Sequence, residues 1–241
     1  MLEYPVKERY TFDDLVQINH LLRTPDGCPW DKVQTHQSIR RNFLEEVYEA
    51  CEAIDNDDPV LMQEELGDVL MQVTFHADIE KERGRFTLDD VCDQACKKLI
   101  FRHPNVFGEK TSRTWDDMKA LEKGQKTATD TLDSVARSLP ALWRADKLVK
   151  KARKAGFTAP QDPEQILKAL EENPTEEALG DLLFALCQLA NERELDPEMA
   201  LHAACERYIA RFTHMEQAAM EIYQTVADLS EVEQLCLWNE A

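Results

Sequence analysis

The sequence predicts an all-α fold. Three observations carry that expectation. Apolar residues recur at three- and four-residue intervals through most of the chain. Gly and Pro are scarce, 7 and 10 among 241 residues. No run of alternating β-branched residues competes. The elements follow in order. Thr11 and Asp14 have the spacing of a capping box and open a first helix carrying Leu15, Ile18, Leu21 and Leu22. Pro25-Asp26-Gly27 and Cys28-Pro29-Trp30 break it. A second helix is expected over 37–55. Asn56-Asp57-Asp58-Pro59 then makes a tight turn, with Asp58 as N-cap and Pro59 in the first helical position. A third helix runs over 59–83 and ends at Gly84. Thr87 and Asp90 open a fourth, ending near Arg102, and 115–123 forms a short fifth. The stripes Leu15/Ile18/Leu22 and Val69/Val73 read as core. Residues 124–139, small, polar and aperiodic, read as a linker. Helices follow over 140–155, 162–172, 175–193 and 196–223. Two of them open on Asp-Pro-Glu, which combines an N-cap, a proline in the first turn and a favourable charge.

The chain also repeats itself. Glu65-Leu66-Gly67-Asp68-Val69-Leu70 is echoed by Ala178-Leu179-Gly180-Asp181-Leu182-Leu183, and the segment 95–102 is echoed by 204–211. Two elements recurring in the same order imply two helical halves, one duplicated from the other. The expected organisation is a first domain over 1–123, the linker, and a second domain over 140–241.

Composition limits the function. With 47 acidic and 28 basic residues the net charge is −19. That balance argues against binding a nucleic-acid polymer or an anionic membrane, both of which need a basic face. It admits a phosphorylated substrate if a carboxylate-held divalent metal neutralises the local charge. Seven cysteines without a C-x-x-C read as reduced thiols in a cytoplasmic protein. Cys92 and Cys96 read as buried small hydrophobes rather than a metal pair. Residues 1–9 carry charges and no apolar core, so no signal peptide is expected. The apolar run 182–187 is too short to span a bilayer.

One constellation carries chemistry. Glu46 and Glu49 are three residues apart, as are Glu65 and Asp68, so each pair shares a helix face. Folding the second and third helices about their turn brings the two pairs level to within one residue. If both faces point inward, four carboxylates meet in one small volume. The bland alternative is a solvated acidic face. Apolar Phe43, Leu44, Val47, Leu66, Val69 and Leu70 beside the pairs favour the inward reading. Four ionised carboxylates repel unless cations sit among them. An oxygen-only donor set suits Mg²⁺, with Mn²⁺ as a substitute. Glu45, a quarter-turn away, reads as a water-orienting group, and Glu64 as surface. Positive side chains must then hold departing phosphates: Lys98 and Arg102 on the fourth helix, and Lys32 after the turn. Trp30 reads as either an indole that stacks on a base or a hydrophobic plug. His103 either donates to a phosphate or caps a helix end. Asn19, His20 and His36 have no argued role.

The spacing Glu45-Glu46-x-x-Glu49 followed by Glu65-x-x-Asp68 resembles the signature of the all-α nucleoside triphosphate pyrophosphohydrolases. The segments 27–32 (GCPWDK), 84–86 (GRF), 102–107 (RHPNVF) and 137–142 (RSLPAL) are similar to MazG-family segments, in the family's order. Trp115 and Lys119 match a further W-x-x-x-K spacing. The resemblance spans about residues 12–215. It implies Mg²⁺-dependent hydrolysis of NTPs or dNTPs to monophosphate and pyrophosphate, with water activated by the metal. It also implies Glu46, Glu49, Glu65 and Asp68 as metal ligands, with Glu45 beside them, and a homodimer.

The second half departs from the pattern. Asp181 corresponds to Asp68, but Ala178 stands at the Glu65 position. The mirror positions 166–168 offer no carboxylate pair, and Glu171, Glu172 and Glu177 lie out of register. Ala159 stands where the first half has Trp30. The half is expected to be catalytically silent and to serve packing, dimerisation or regulation. Two alternatives stay open: a hydrolase narrowly selective for one non-canonical nucleotide, and a non-enzymatic helical regulator that binds nucleotide or protein.

Overall fold

The computed structural model describes residues 4–157, 159, 161–221 and 224–240, and among these it contains helices and no strand. The chain divides into two compact units, Met1–Trp115 and Asp116–Ala241.

In the first unit, α1 (Phe12–Arg23) opens on the expected capping box: Thr11 Oγ1 accepts from Asp14 N, and Asp14 accepts from Thr11 N at 2.8 Å. A 3-10 turn (Asp31–Val33) precedes α2 (Arg40–Asp55). The second helix therefore starts three residues later than 37. Thr35 and Ser38 explain the delay, because each hydroxyl accepts from the other's backbone N–H and holds a turn in place of helix. Asp57 takes a left-handed φ of 52° in the α2–α3 turn, a conformation Asp tolerates better than most residues. Asp58 then caps α3 (Pro59–Glu82) by accepting from Val60 N and Leu61 N, both at 3.0 Å. Gly84, at φ 67°, follows the end of α3. A second capping box at Thr87 and Asp90 opens α4 (Leu88–Arg102). The one-turn α5 (Pro104–Phe107) follows, and α6 (Trp115–Glu122) starts at the last residue of this unit, its remainder belonging to the second. Both α1 and α2 pack on α3.

The core of this unit is less apolar than its pattern implies. Ile39, Phe75 and Ile79 form its buried apolar cluster. Leu15, Ile18, Val69 and Val73 are only half-buried, and Leu22 is exposed. Asp14, Asn19, Arg23, Gln72, Thr74 and Asp78 are buried instead. The α1 stripe expected as core is thus displaced by polar side chains that pair across α1 and α3. Leu44, Val47, Leu66 and Leu70 are also exposed, so the apolar flanks of the carboxylate pairs are not covered within the unit.

In the second unit, residues 124–139 are not uniformly irregular. They contain α7 (Ala128–Asp133), capped by Thr127 and Asp130, which packs on α8. Val135 just beyond it is buried. The helices α8 (Ala141–Lys154), α9 (Pro163–Glu172), α10 (Glu176–Glu192) and α11 (Pro197–Glu221) fall where the sequence places them. Tyr223, the expected end of the last, lies outside the described residues. A further helix, α12 (Glu231–Glu240), packs on α11 through the Met215, Ala219 and Leu229 cluster. Helices α8 and α9 both contact α10, as α1 and α2 both contact α3.

Candidate active site

The α2–α3 hairpin brings three of the four expected carboxylates together, and Asp68 is not among the converging group. Glu46 and Glu49 on α2 and Glu65 on α3 each offer a carboxylate oxygen, and these oxygens lie within 4.8 Å of one another. Glu65 is 8% exposed, Glu46 is half-buried and Glu49 faces solvent. Asp68 is half-buried one turn along α3. Its charge acts on both Glu46 and Glu65. Glu45 and Glu49 lie together in a shallow groove of about 400 Å³ on α2, beside Arg41 and Tyr48. Glu64 is exposed.

Electrostatics mark the cluster as uncompensated. Burial pushes the Glu46 carboxyl above the usual range, and the charges of Asp68 and Glu49 add to the shift. Glu65 is raised for the same reasons, by burial first and then by Glu49 and Asp68. Gln72, one turn beyond Asp68, opposes the shift at Glu46. Carboxylates crowded in this way are stable together only when protonated or when a cation lies among them. The donor set consists of hard oxygens converging on one point and is open to solvent on the Glu49 side. It fits a divalent cation of the Mg²⁺ or Mn²⁺ class.

The cationic and aromatic candidates separate into two groups. Trp30 is 57% exposed and available for stacking. Lys32 is exposed and donates to Pro25 O at 3.0 Å. Lys98 is exposed on α4. Arg102 is 9% exposed, and its guanidinium lies over the Trp115 ring, 5.1 Å from the centroid. His103 caps α4 with Nδ1 2.7 Å from Leu99 O, and its ring sits 4.8 Å from Trp115. This is the helix-end role rather than the phosphate role. Cys92 and Cys96 are both exposed and free, which corrects the expectation of burial. α4 packs on α3 and α5, and neither cysteine is covered by that packing.

Sequence reasoning missed a polar network that ties α1 and the Trp30 loop to α3. Asn19 donates to Met71 O at 3.0 Å and to Thr74 Oγ1. His20 Nδ1 lies 3.0 Å from Asp78. The buried Arg23 donates to Glu82 at 2.7 and 3.0 Å and to Asp31 O at 2.7 Å. His36 Nδ1 lies 2.7 Å from His76 Nδ1, and His36 Nε2 meets Glu80. Glu80 also takes Arg85 and Arg83, and the Arg85 and His36 bonds pull its pKa down to about 2. The sequence does hold one signal for this. Asn19 and Arg23 are four apart, and Thr74 and Asp78 are four apart, so each polar pair lies on one face.

In the second unit, Asp181, Glu171, Glu172 and Glu177 are all exposed. Among the described residues the α2–α3 cluster is the one group of three or more acidic, cysteine or histidine side chains that converges in this way.

Residues 34–107 match the MazG nucleotide pyrophosphohydrolase domain. The chain is 41% identical over 220 residues to a Thermotoga maritima protein named nucleoside triphosphate pyrophosphohydrolase/pyrophosphatase MazG, with 86% of each chain covered. It is 36% identical over 253 aligned positions to the nucleoside triphosphate pyrophosphohydrolase of Escherichia coli K12, with 95% of each covered. It is 39% identical over 262 aligned positions to the uncharacterized protein YabN of Bacillus subtilis. That match takes in 98% of this chain but 53% of the Bacillus protein.

Proposed function

This chain belongs to the MazG nucleotide pyrophosphohydrolase family, and we propose that it hydrolyses nucleoside triphosphates to monophosphate and pyrophosphate at the α2–α3 carboxylate cluster. The observation that carries this reading is the convergence of Glu46, Glu49 and Glu65 to within 4.8 Å on the segment that matches the family domain.

In this reading Glu46, Glu49, Glu65 and Asp68 hold Mg²⁺, with Mn²⁺ as a substitute. When bound, the cation neutralises the cluster, draws a triphosphate to an otherwise repellent surface and acidifies a water for in-line attack on phosphorus. Glu45, in the groove beside Glu49, orients that water and takes its proton. Lys98, Lys32 and Arg102 hold the departing pyrophosphate, with Arg102 oriented by the Trp115 ring beneath it. Trp30 stacks on the base. The second unit is catalytically silent. Two copies of the chain pair through the apolar faces left exposed on α2, α3 and α4, among them Leu66, Leu70, Leu99 and Ile100.

³¹P NMR of the protein with Mg²⁺ and mixed NTPs and dNTPs tests the proposal. Monophosphate plus pyrophosphate is expected. Diphosphate plus phosphate overturns the assigned bond, and no turnover with either Mg²⁺ or Mn²⁺ overturns the reading altogether. Relative rates across bases then decide between broad hydrolysis and selectivity for one non-canonical nucleotide.

A further inference from the structure

The second unit holds a feature that catalysis in the first does not use. In a chain of net charge −19, α8 carries six basic residues against one acidic residue, Asp146. Trp143, Lys147, Lys150, Lys151 and Lys154 recur at helical spacing and fall along one side of it. They span about 16 Å of helix axis at the usual rise per residue. Arg144 flanks this stripe. Asp146 is buried and pairs with Lys150 at 2.6 Å. Lys154 lies 3.4 Å from Asp116. Among the described residues no carboxylate pairs with Lys147 or Lys151; Lys147 lies over the Trp143 ring instead, 4.9 Å from its centroid. Arg144 Nε is the one buried side-chain nitrogen or oxygen among the described residues without a hydrogen-bond partner. A guanidinium N–H left in this state costs free energy until an acceptor reaches it. The N-terminal end of α8 is already served, since Glu198 accepts from Trp143 N at 3.0 Å.

We propose that this face of α8 is an anion site for a polyphosphate chain, held by Arg144, Lys147 and Lys151. Guanidinium and ammonium groups in a row suit successive phosphate groups. A short polyphosphate matches the length of the stripe. A nucleic-acid strand extends past it and meets the repulsion of the acidic remainder. The phosphate chain comes either from a nucleotide, whose base meets the half-exposed Trp143, or from free inorganic polyphosphate.

Calorimetric titration of the full chain with inorganic tripolyphosphate, in EDTA and low salt, tests the site. Without divalent metal the α2–α3 cluster repels the probe. Saturable binding is expected, weakened at least about tenfold in Lys147→Glu/Lys151→Glu by the like charges introduced. Binding is expected to persist in Lys147→Arg/Lys151→Arg and in Glu49→Gln. Absence of saturable binding overturns the site, as does binding unchanged in the charge-reversed variant or lost in Glu49→Gln. A charge-reversed variant that changes only its oligomeric state overturns it in favour of a protein contact. ATP separates the two sources. If ATP binds more tightly than tripolyphosphate and Trp143→Phe removes the difference, the occupant is a nucleotide; equal affinity assigns the site to the free polyphosphate. Either supports an anion site on α8.

Discussion

At the residue scale, α3 carries carboxylates whose proton affinities are shifted in opposite directions. Glu65 is raised by burial among like charges, and Glu80 is lowered by Arg85 and His36. The two contribute to stability with opposite pH dependence. The contribution of Glu80 is complete above its unfolded value near 4.5 and is lost as pH falls towards about 2. In the metal-free protein the contribution of Glu65 is complete below 4.5 and is lost as pH rises through its raised value. Melting temperatures in EDTA should therefore show Glu65→Gln gaining on the parent as pH rises to neutrality. Glu80→Gln should lose most at neutral pH and little near pH 2. Added Mg²⁺ should raise the parent's melting temperature and leave Glu65→Gln nearly unmoved. The acid pairs were legible in sequence because register across a tight turn follows from helical rise alone. The shift at Glu80 was not, since its cause is Arg85, after the helix has ended, and His36, from a loop 44 positions earlier.

At the element scale, the helices follow from local rules, and the contacts between them do not. Thr11, Asp58 and Thr87 cap their helices as expected, because capping involves only neighbours in sequence. What holds α1 to α3 is a set of buried polar bonds centred on Arg23, Asn19, Asp78 and Thr74. Arg23→Ala removes the guanidinium 3.8 Å from the buried Asp78, leaves Glu82 without its partner and releases the Asp31 carbonyl. It should cost roughly 3 kcal/mol, the scale for breaking a buried pair from one side, as read by urea denaturation. Leu22→Ala, at an exposed position of the same helix, should cost much less. A hydrophobic pattern alone ranks these two substitutions the other way round.

At the scale of the whole molecule, α8 and α9 contact α10 as α1 and α2 contact α3, and among the described residues the acidic cluster lies in the first unit alone. Asp68→Asn should lower turnover by about a hundredfold or more, the order seen when one charge-stabilising group is removed. Asp181→Asn, its counterpart in the repeat, should leave the rate unchanged, with circular dichroism confirming that both variants fold. The uncovered apolar faces of the first unit predict association. Light scattering should report a dimer for the parent and a monomer for Ile100→Asp, whose new charge lies on an exposed α4 position. In the sequence by itself, periodicity, capping and spacing carried the all-helical class, the longer helices of both units, the register of the acidic residues across the α2–α3 turn and the family, but not α5, α7 or α12. What they carried depends on patterns within a few turns of chain. Packing set which polar residues are buried, that the Arg102 guanidinium lies over Trp115, that the Trp30 loop hangs from α3 through His36 and Arg23, and that apolar flanks stay uncovered. Those outcomes depend on which side chains meet across distant segments, and burial is a property of the packed chain that no local pattern contains.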